Sequence, residues 1–175
     1  MPDRSILETM SKSQLIDLLD DAAKNWLAHD GLWFQAVEGR FGLEAAIGCD
    51  AEAWGQFTVV EAKRIMQRHG IAEGGGLEAL ERALDLRLYA RINEQAAKWI
   101  DARTLRFEMN GCRVQEARQR KGLPDFPCKS VGLVEYGGFA RTLDPRIETR
   151  CVACPPDAHP AGFWCAWEFT LPRGE

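Results

Sequence analysis

Five of the six cysteines in this chain of 175 residues fall in its second half, at Cys112, Cys128, Cys151, Cys154 and Cys165, the last four of them in its last third. Thiolates are the ligands preferred by zinc and by iron–sulfur clusters, so this grouping offers enough soft sulfur to hold either. The run Cys151-Val152-Ala153-Cys154-Pro155-Pro156 lets one tight turn present a pair of thiolates to a single ion, and the prolines stiffen that turn. A lone CxxC has low specificity for a metal, and the paired-CxxC signature of zinc domains is missing. Further thiols in the same third of the chain strengthen the reading, and thiol count does not separate zinc from an iron–sulfur cluster. Two blander roles compete, a reactive or redox thiol and simple core packing. Cysteine is among the residues most often buried. Cys165, on the apolar face of a strand with Trp167, suits packing well, and Cys49, remote from the others, suits it better.

Other polar groups near these thiols could bind or move protons. His159 is the histidine closest to the cluster, in Pro155-Pro156-Asp157-Ala158-His159-Pro160, where it is a candidate fourth ligand or general base. Asp157 would orient its ring or cap the turn. The segment Arg113-Val114-Gln115-Glu116-Ala117-Arg118 follows Cys112 directly. On a helix Arg113 and Glu116 share a face, as do Gln115 and Arg118; Arg113, Gln115 and Arg118 would then hold a substrate carboxylate while Glu116 handles a proton. The alternative is a solvated charged face. His29 and His69 fall at expected helix ends, where a cationic ring complements the helix dipole.

The elements that must position these groups are legible in the hydrophobic period. A helix runs from Ser11 to about His29 and restarts at Asp30-Gly31. A second helix stops around Gly39 to Gly42, and a third, capped by Asp50, ends at His69-Gly70. Gly74-Gly75-Gly76 lacks the lysine and spacing of a nucleotide loop and reads as a turn before a fourth helix over Leu77 to about Leu88. Thr104 to Met109, Arg146 to Val152 and Phe163 to Leu171 read as strands, and Tyr89 to Ile100 as either strand or helix. Val114 to Lys121 and Cys128 to Arg141 have helical composition, the latter weakened by Gly132, Gly137 and Gly138. Trp26, Trp33, Phe34, Trp54 and Phe57 lie at helical spacing, as core or as the lining of a ligand cavity. The expected fold is α+β and a single domain over residues 1–175, with a helical part at about 11–90 and a strand-rich cysteine part at about 91–175. Cysteines at neighbouring strand ends of an antiparallel sheet would gather at one rim.

The totals narrow the class. With 22 basic and 26 acidic residues the formal net charge is −4, which gives no electrostatic footprint for nucleic acid. No segment approaches the ~20 apolar residues of a membrane span. Met1 to Met10 carries Asp3, Arg4 and Glu8 in place of a secretory apolar stretch. A cytosolic protein is expected, where disulfides are rare and grouped thiols favour metal or redox roles. A small-molecule ligand suits the chain, and a homo-oligomer stays open.

Several segments together carry a resemblance: Asp30-Gly31-Leu32-Trp33-Phe34, Glu61-Ala62-Lys63-Arg64, Cys112 through Arg118, Phe126-Pro127-Cys128-Lys129, Cys151-x-x-Cys154-Pro155-Pro156-Asp157 and Cys165-x-Trp167-Glu168-Phe169. From about Leu15 onward the chain resembles a cytosolic family of unknown function found mostly in anaerobes. That family is distantly similar to the L-2-amino-thiazoline-4-carboxylic acid hydrolase family. The resemblance implies a helical N-terminal part, a C-terminal antiparallel sheet, and a single site containing Cys112, Cys128, Cys151 and Cys154. The expected function is a small metal-thiolate protein, holding zinc or an iron–sulfur cluster, whose cysteine-lined site accepts a small molecule. The alternative is a hydrolase that opens a thiazoline or other C–N ring, with Cys112 or a metal-bound water attacking and His159 or Glu116 moving the proton.

Overall fold

The structure is a computed structural model and describes residues 3–173. Its helices are α1 (Ser5–Glu8), α2 (Lys12–Phe41), α3 (Leu43–His69), α4 (Gly76–Leu84), α5 (Arg113–Arg120) and α6 (Lys129–Leu143), with a 3-10 turn at Leu88–Arg91. The strands are β1 (Glu94–Asp101), β2 (Thr104–Gly111), β3 (Glu148–Ala153) and β4 (Cys165–Thr170). They form one antiparallel sheet in the order β1-β2-β4-β3. The architecture is α+β, with helices leading and an antiparallel sheet in the C-terminal part.

The first half is one long helical hairpin. Ser11 begins α2 with a capping box: its hydroxyl accepts from the Gln14 amide at 3.2 Å, and the Gln14 side chain accepts from the Ser11 amide at 2.8 Å. Asp30-Gly31, expected to interrupt the helix, lies inside it. A glycine in mid-helix costs only about 1 kcal/mol, less than a long helix packed along a partner returns. The reversal comes at Gly42, whose φ of 86° ends α2 and admits α3 directly. Asp50, expected to cap the third helix, therefore lies within α3, and His29 within α2. The αL cap at Gly70 ends α3 after His69, as the sequence suggests.

The strand assignment of residues 94–101 goes against their helical composition. Register with β2, from Ala96 opposite Glu108 to Trp99 opposite Leu105, supplies ladder hydrogen bonds that outweigh a weak intrinsic preference. The sheet has unlike faces. Arg106, Glu168 and Arg150 lie side by side on one face, and Arg106 and Lys98 both reach Glu108, at 3.2 and 2.7 Å. The other face carries Leu105, Phe107, Met109, Trp167 and Phe169, all buried against α6, α3 and α4. Helix α6 lies very close to this face. A Cβ at Gly132 would sit 2.5 Å from the Trp167 ring, and one at Gly138 would sit 2.7 Å from Thr58 of α3. Gly132 and Gly138, two of the three glycines read in sequence as weakening α6, are the residues that let it wedge between the sheet and α3.

A buried ion cluster ties the helices together. Arg87, 3% exposed, donates from Nε to Glu61 of α3 at 2.9 Å and reaches Glu135 of α6 at 2.7 Å. Its guanidinium also lies 4.8 Å from the Phe139 ring centroid. Among the described residues no helix is long and apolar enough to cross a membrane.

Candidate functional site

The ends of β2, β3 and β4 meet at one rim of the sheet, where Met109 faces Cys165 and Ala153 faces Ala166. Cys112 follows β2 and caps α5, Cys154 follows β3, Cys165 opens β4, and Cys128 immediately precedes α6. The turn after Cys154 is held against the start of α6. The Lys129 amide donates to the Pro155 carbonyl at 3.0 Å, Lys129 Nζ pairs with Asp157 at 2.7 Å, and the Asp157 amide donates to the Cys154 carbonyl at 2.9 Å. This places the Cys128 and Cys154 sulfurs 3.5 Å apart, far beyond a disulfide bond length, and all six cysteines are free.

The thiols differ in character. Contact with Cys154 lowers the Cys128 pKa and raises that of Cys154, so of the two Cys128 gives up its proton more readily. The N-terminus of α6 also favours negative charge at Cys128. Burial pushes the Cys112 thiol up to about 12. The Cys165 sulfur accepts from the Trp167 indole N–H at 3.4 Å.

These four thiols line a cavity of about 470 Å³ between the α2–α3 hairpin, α5, the start of α6 and the sheet rim. Aromatic side chains supply much of its wall: Phe34, Trp54, Tyr89, Phe126, Tyr136 and Trp167. The Trp54 and Tyr89 rings stack at 5.6 Å, with Trp26 edge-on to both. Polar groups in the wall include Asp30, Asp50, Gln115 and Glu135. Burial pushes the Asp50 carboxyl up to about 7, and the neighbouring negative charges of Asp30 and Glu135 add to the rise. Burial likewise raises Asp30 and Glu135, although Arg87 draws Glu135 back.

Gln115 is 1% exposed and fully committed. Its amide nitrogen donates to the Phe126 carbonyl and its oxygen accepts from the Phe126 amide, both at 2.8 Å, while the nitrogen also reaches the Cys128 sulfur at 3.5 Å. It clips the loop before α6 and so positions Cys128. Arg118 lines the cavity but donates to the Pro124 carbonyl at 2.8 Å and pairs with Glu38 at 3.3 Å. Arg113 lines the cavity with an exposed side chain.

Glu116 and His159 are not among the lining residues. Glu116 lies 3.8 Å from Arg120, and the ring of His159 rests 5.2 Å from that of Trp164 in the loop before β4. Asp157 pairs with Lys129 rather than with His159. Cys151 faces the core side of β3 beside Trp167, at a register shift that swings Cys154 toward the rim and leaves Cys151 off the cavity wall. Cys49, expected as a packing residue, is exposed on α3, because that helix buries the face bearing Ala46 and Trp54. Trp33, expected as core or cavity lining, is 67% exposed. Sequence reading missed Asp30 and Asp50. The local signal at both was a turn or cap, and their meeting in the cavity wall follows from the continuity of α2 and α3. Among the described residues, no three or more His, Cys, Asp or Glu side chains are set as a metal-holding group.

The fold is shared with the phenol-responsive sensory domain of the transcription activator PoxR, solved with phenol. The TM-score is 0.53 at 15% identity, covering 81% of this chain and 72% of that one. No curated protein sequence matches the chain. The motifs that converge on the cavity, from Asp30 to Cys165, all lie within residues 8–171, the span over which the chain matches and belongs to a family of unknown function (DUF6125).

Proposed function

We propose that this protein binds a small, largely apolar molecule of about one aromatic ring in the cavity between the helical hairpin and the sheet rim. The observation that carries this reading is the cavity itself. Its volume of about 470 Å³ falls within the range of small-molecule sites, and its wall is mainly apolar, with charged and amide side chains such as Asp30, Asp50, Glu135, Arg113 and Gln115 set into it. The shared fold of a sensory domain solved with phenol is a supporting precedent for a ligand of that size. Titration with phenol and other uncharged one-ring aromatics, followed by tryptophan fluorescence and ligand-observed NMR, tests the proposal. Saturable binding that disappears in the cavity-filling variant Val114→Trp is expected. If no such compound saturates a site in the folded wild-type protein, the reading fails.

A second reading rests on the sulfurs. In tetrahedral thiolate sites with metal–sulfur bonds of about 2.3 Å, neighbouring sulfurs stand roughly 3.8 Å apart. The free pair Cys128 and Cys154, 3.5 Å apart, is close to that spacing, and Cys112 and Cys165 lie on the same cavity wall. Cys128 and Cys154 would start a site for zinc or an iron–sulfur cluster, which Cys112 and Cys165 would complete only by moving closer than they stand, since no three such side chains have metal-holding spacing among the described residues. Cys151 has no comparable support. Element analysis of anaerobically prepared protein, repeated on Cys128→Ser and Cys154→Ser, tests the assignment. The bound element should be lost in both variants; wild-type protein that is metal-free and fully folded overturns it. A ring-opening hydrolase draws less support, since Glu116 and His159, the residues suggested to move its proton, stand away from the cavity.

A further inference from the structure

Lining the cavity beside the stacked rings of Trp54 and Tyr89 are two carboxylates without an ion-pair partner among the described residues, although His29 stands near enough to Asp30 to draw its pKa down. Asp30 of α2 and Asp50 of α3 both line the cavity, near enough that the charge of Asp30 helps to raise the Asp50 carboxyl. Neither makes an ion pair among the described residues. Glu135 completes the acidic wall, and the buried cation near it, Arg87, is already shared between Glu135 and Glu61. The basic side chains that also line the cavity are largely engaged elsewhere. Lys24 pairs with Asp21, Arg118 with Glu38, Arg120 with Glu116, and Lys121 donates to Gln35. Arg113 is exposed.

We propose that the cavity selects an organic cation, a protonated amine carried on a one-ring apolar body, with the ammonium group between Asp30 and Asp50 and the body against the aromatic wall. This rests on the small-molecule reading above and deepens it by naming the charge of the ligand. An ammonium group supplies the ion-pair partner that neither carboxylate has among the described residues. The faces of Trp54 and Tyr89 also favour a cation, since aromatic quadrupoles attract positive charge. The high pKa of Asp50 fits a carboxyl held without its partner, which the bound amine would return to the ionised form.

The test uses three probes of similar size and different charge: benzylamine, benzyl alcohol and benzoate. Each is titrated at pH 8 into the full chain and into Asp30→Asn, Asp50→Asn and the double variant. Binding is read by tryptophan fluorescence and by NMR, and thermal melting confirms that every variant is folded. Benzylamine should bind roughly tenfold tighter than benzyl alcohol, as a charge-assisted hydrogen bond allows, with benzoate weakest. The double variant should lose the preference while still binding benzyl alcohol. Equal or tighter binding of benzyl alcohol or benzoate by the wild-type protein overturns the charge selectivity and leaves the small-molecule reading standing. A preference for benzylamine that survives in the double variant also overturns it. Absence of binding by all three probes overturns both readings.

Discussion

Asp50 connects local chemistry to stability. Burial, aided by Asp30 and Glu135, raises its carboxyl from an ordinary 3.8 to about 7 in the folded chain. Between those values the folded state holds a proton that the unfolded state has released, so stability falls as pH rises from about 4 to about 7 and is flat above. Asp50→Asn removes that penalty. The variant should be more stable than wild type at pH 8 by roughly 1–2 kcal/mol, after allowance for the side chain's partial contact with water, and the gain should vanish near pH 4. Urea unfolding of both proteins at the two pH values checks this; an equal effect at both removes the link to ionisation. A carboxylate that weakens the empty fold is what a binding site retains when the group serves a ligand.

Helix α6 is the element on which the site depends, because its first turn places Cys128 and its body wedges between the sheet and α3. That wedge needs Gly132 over Trp167. Helix propensity alone predicts that Gly132→Ala would add up to about 1 kcal/mol. The 2.5 Å clash predicts the opposite sign, a loss of about 1–3 kcal/mol, because the obstructing atoms belong to a fully buried ring. The shift in urea midpoint decides between them. The same contrast explains why composition counted Gly132 and Gly138 against a helix that does form at 129–143: a glycine that permits close approach looks, in isolation, like a helix breaker. Residues 94–97 were ambiguous for the converse reason, since their strand state is stabilised by β2, which lies ten or so residues away and is invisible to a local window.

Arg87 binds the molecule together, linking α3 and α6 at the head of the 3-10 turn. Arg87→Met would leave Glu61 and Glu135 buried without their cation, and a cost of about 3–5 kcal/mol is expected. Far-UV dichroism and tryptophan fluorescence should report one coincident unfolding transition for the wild-type chain, with the variant's shifted to lower urea; separate transitions would mean that the helical and strand-rich parts unfold independently. What the amino-acid sequence determined by itself was local or periodic: the capping box at Ser11, the αL stop at Gly70, the alternation in β2 and β4, and the placing of Cys112, Cys128, Cys154 and Cys165 at element ends. Those features carry the α+β class and the expectation of a thiol-lined site. Only the tertiary structure decided that α2 and α3 run uninterrupted, which brings Asp30 and Asp50 together, and that Cys151 turns away from the cavity while Cys165 joins it. Such outcomes depend on which surfaces meet across the fold. Contacts between residues far apart in the chain leave no mark on the spacing of their neighbours.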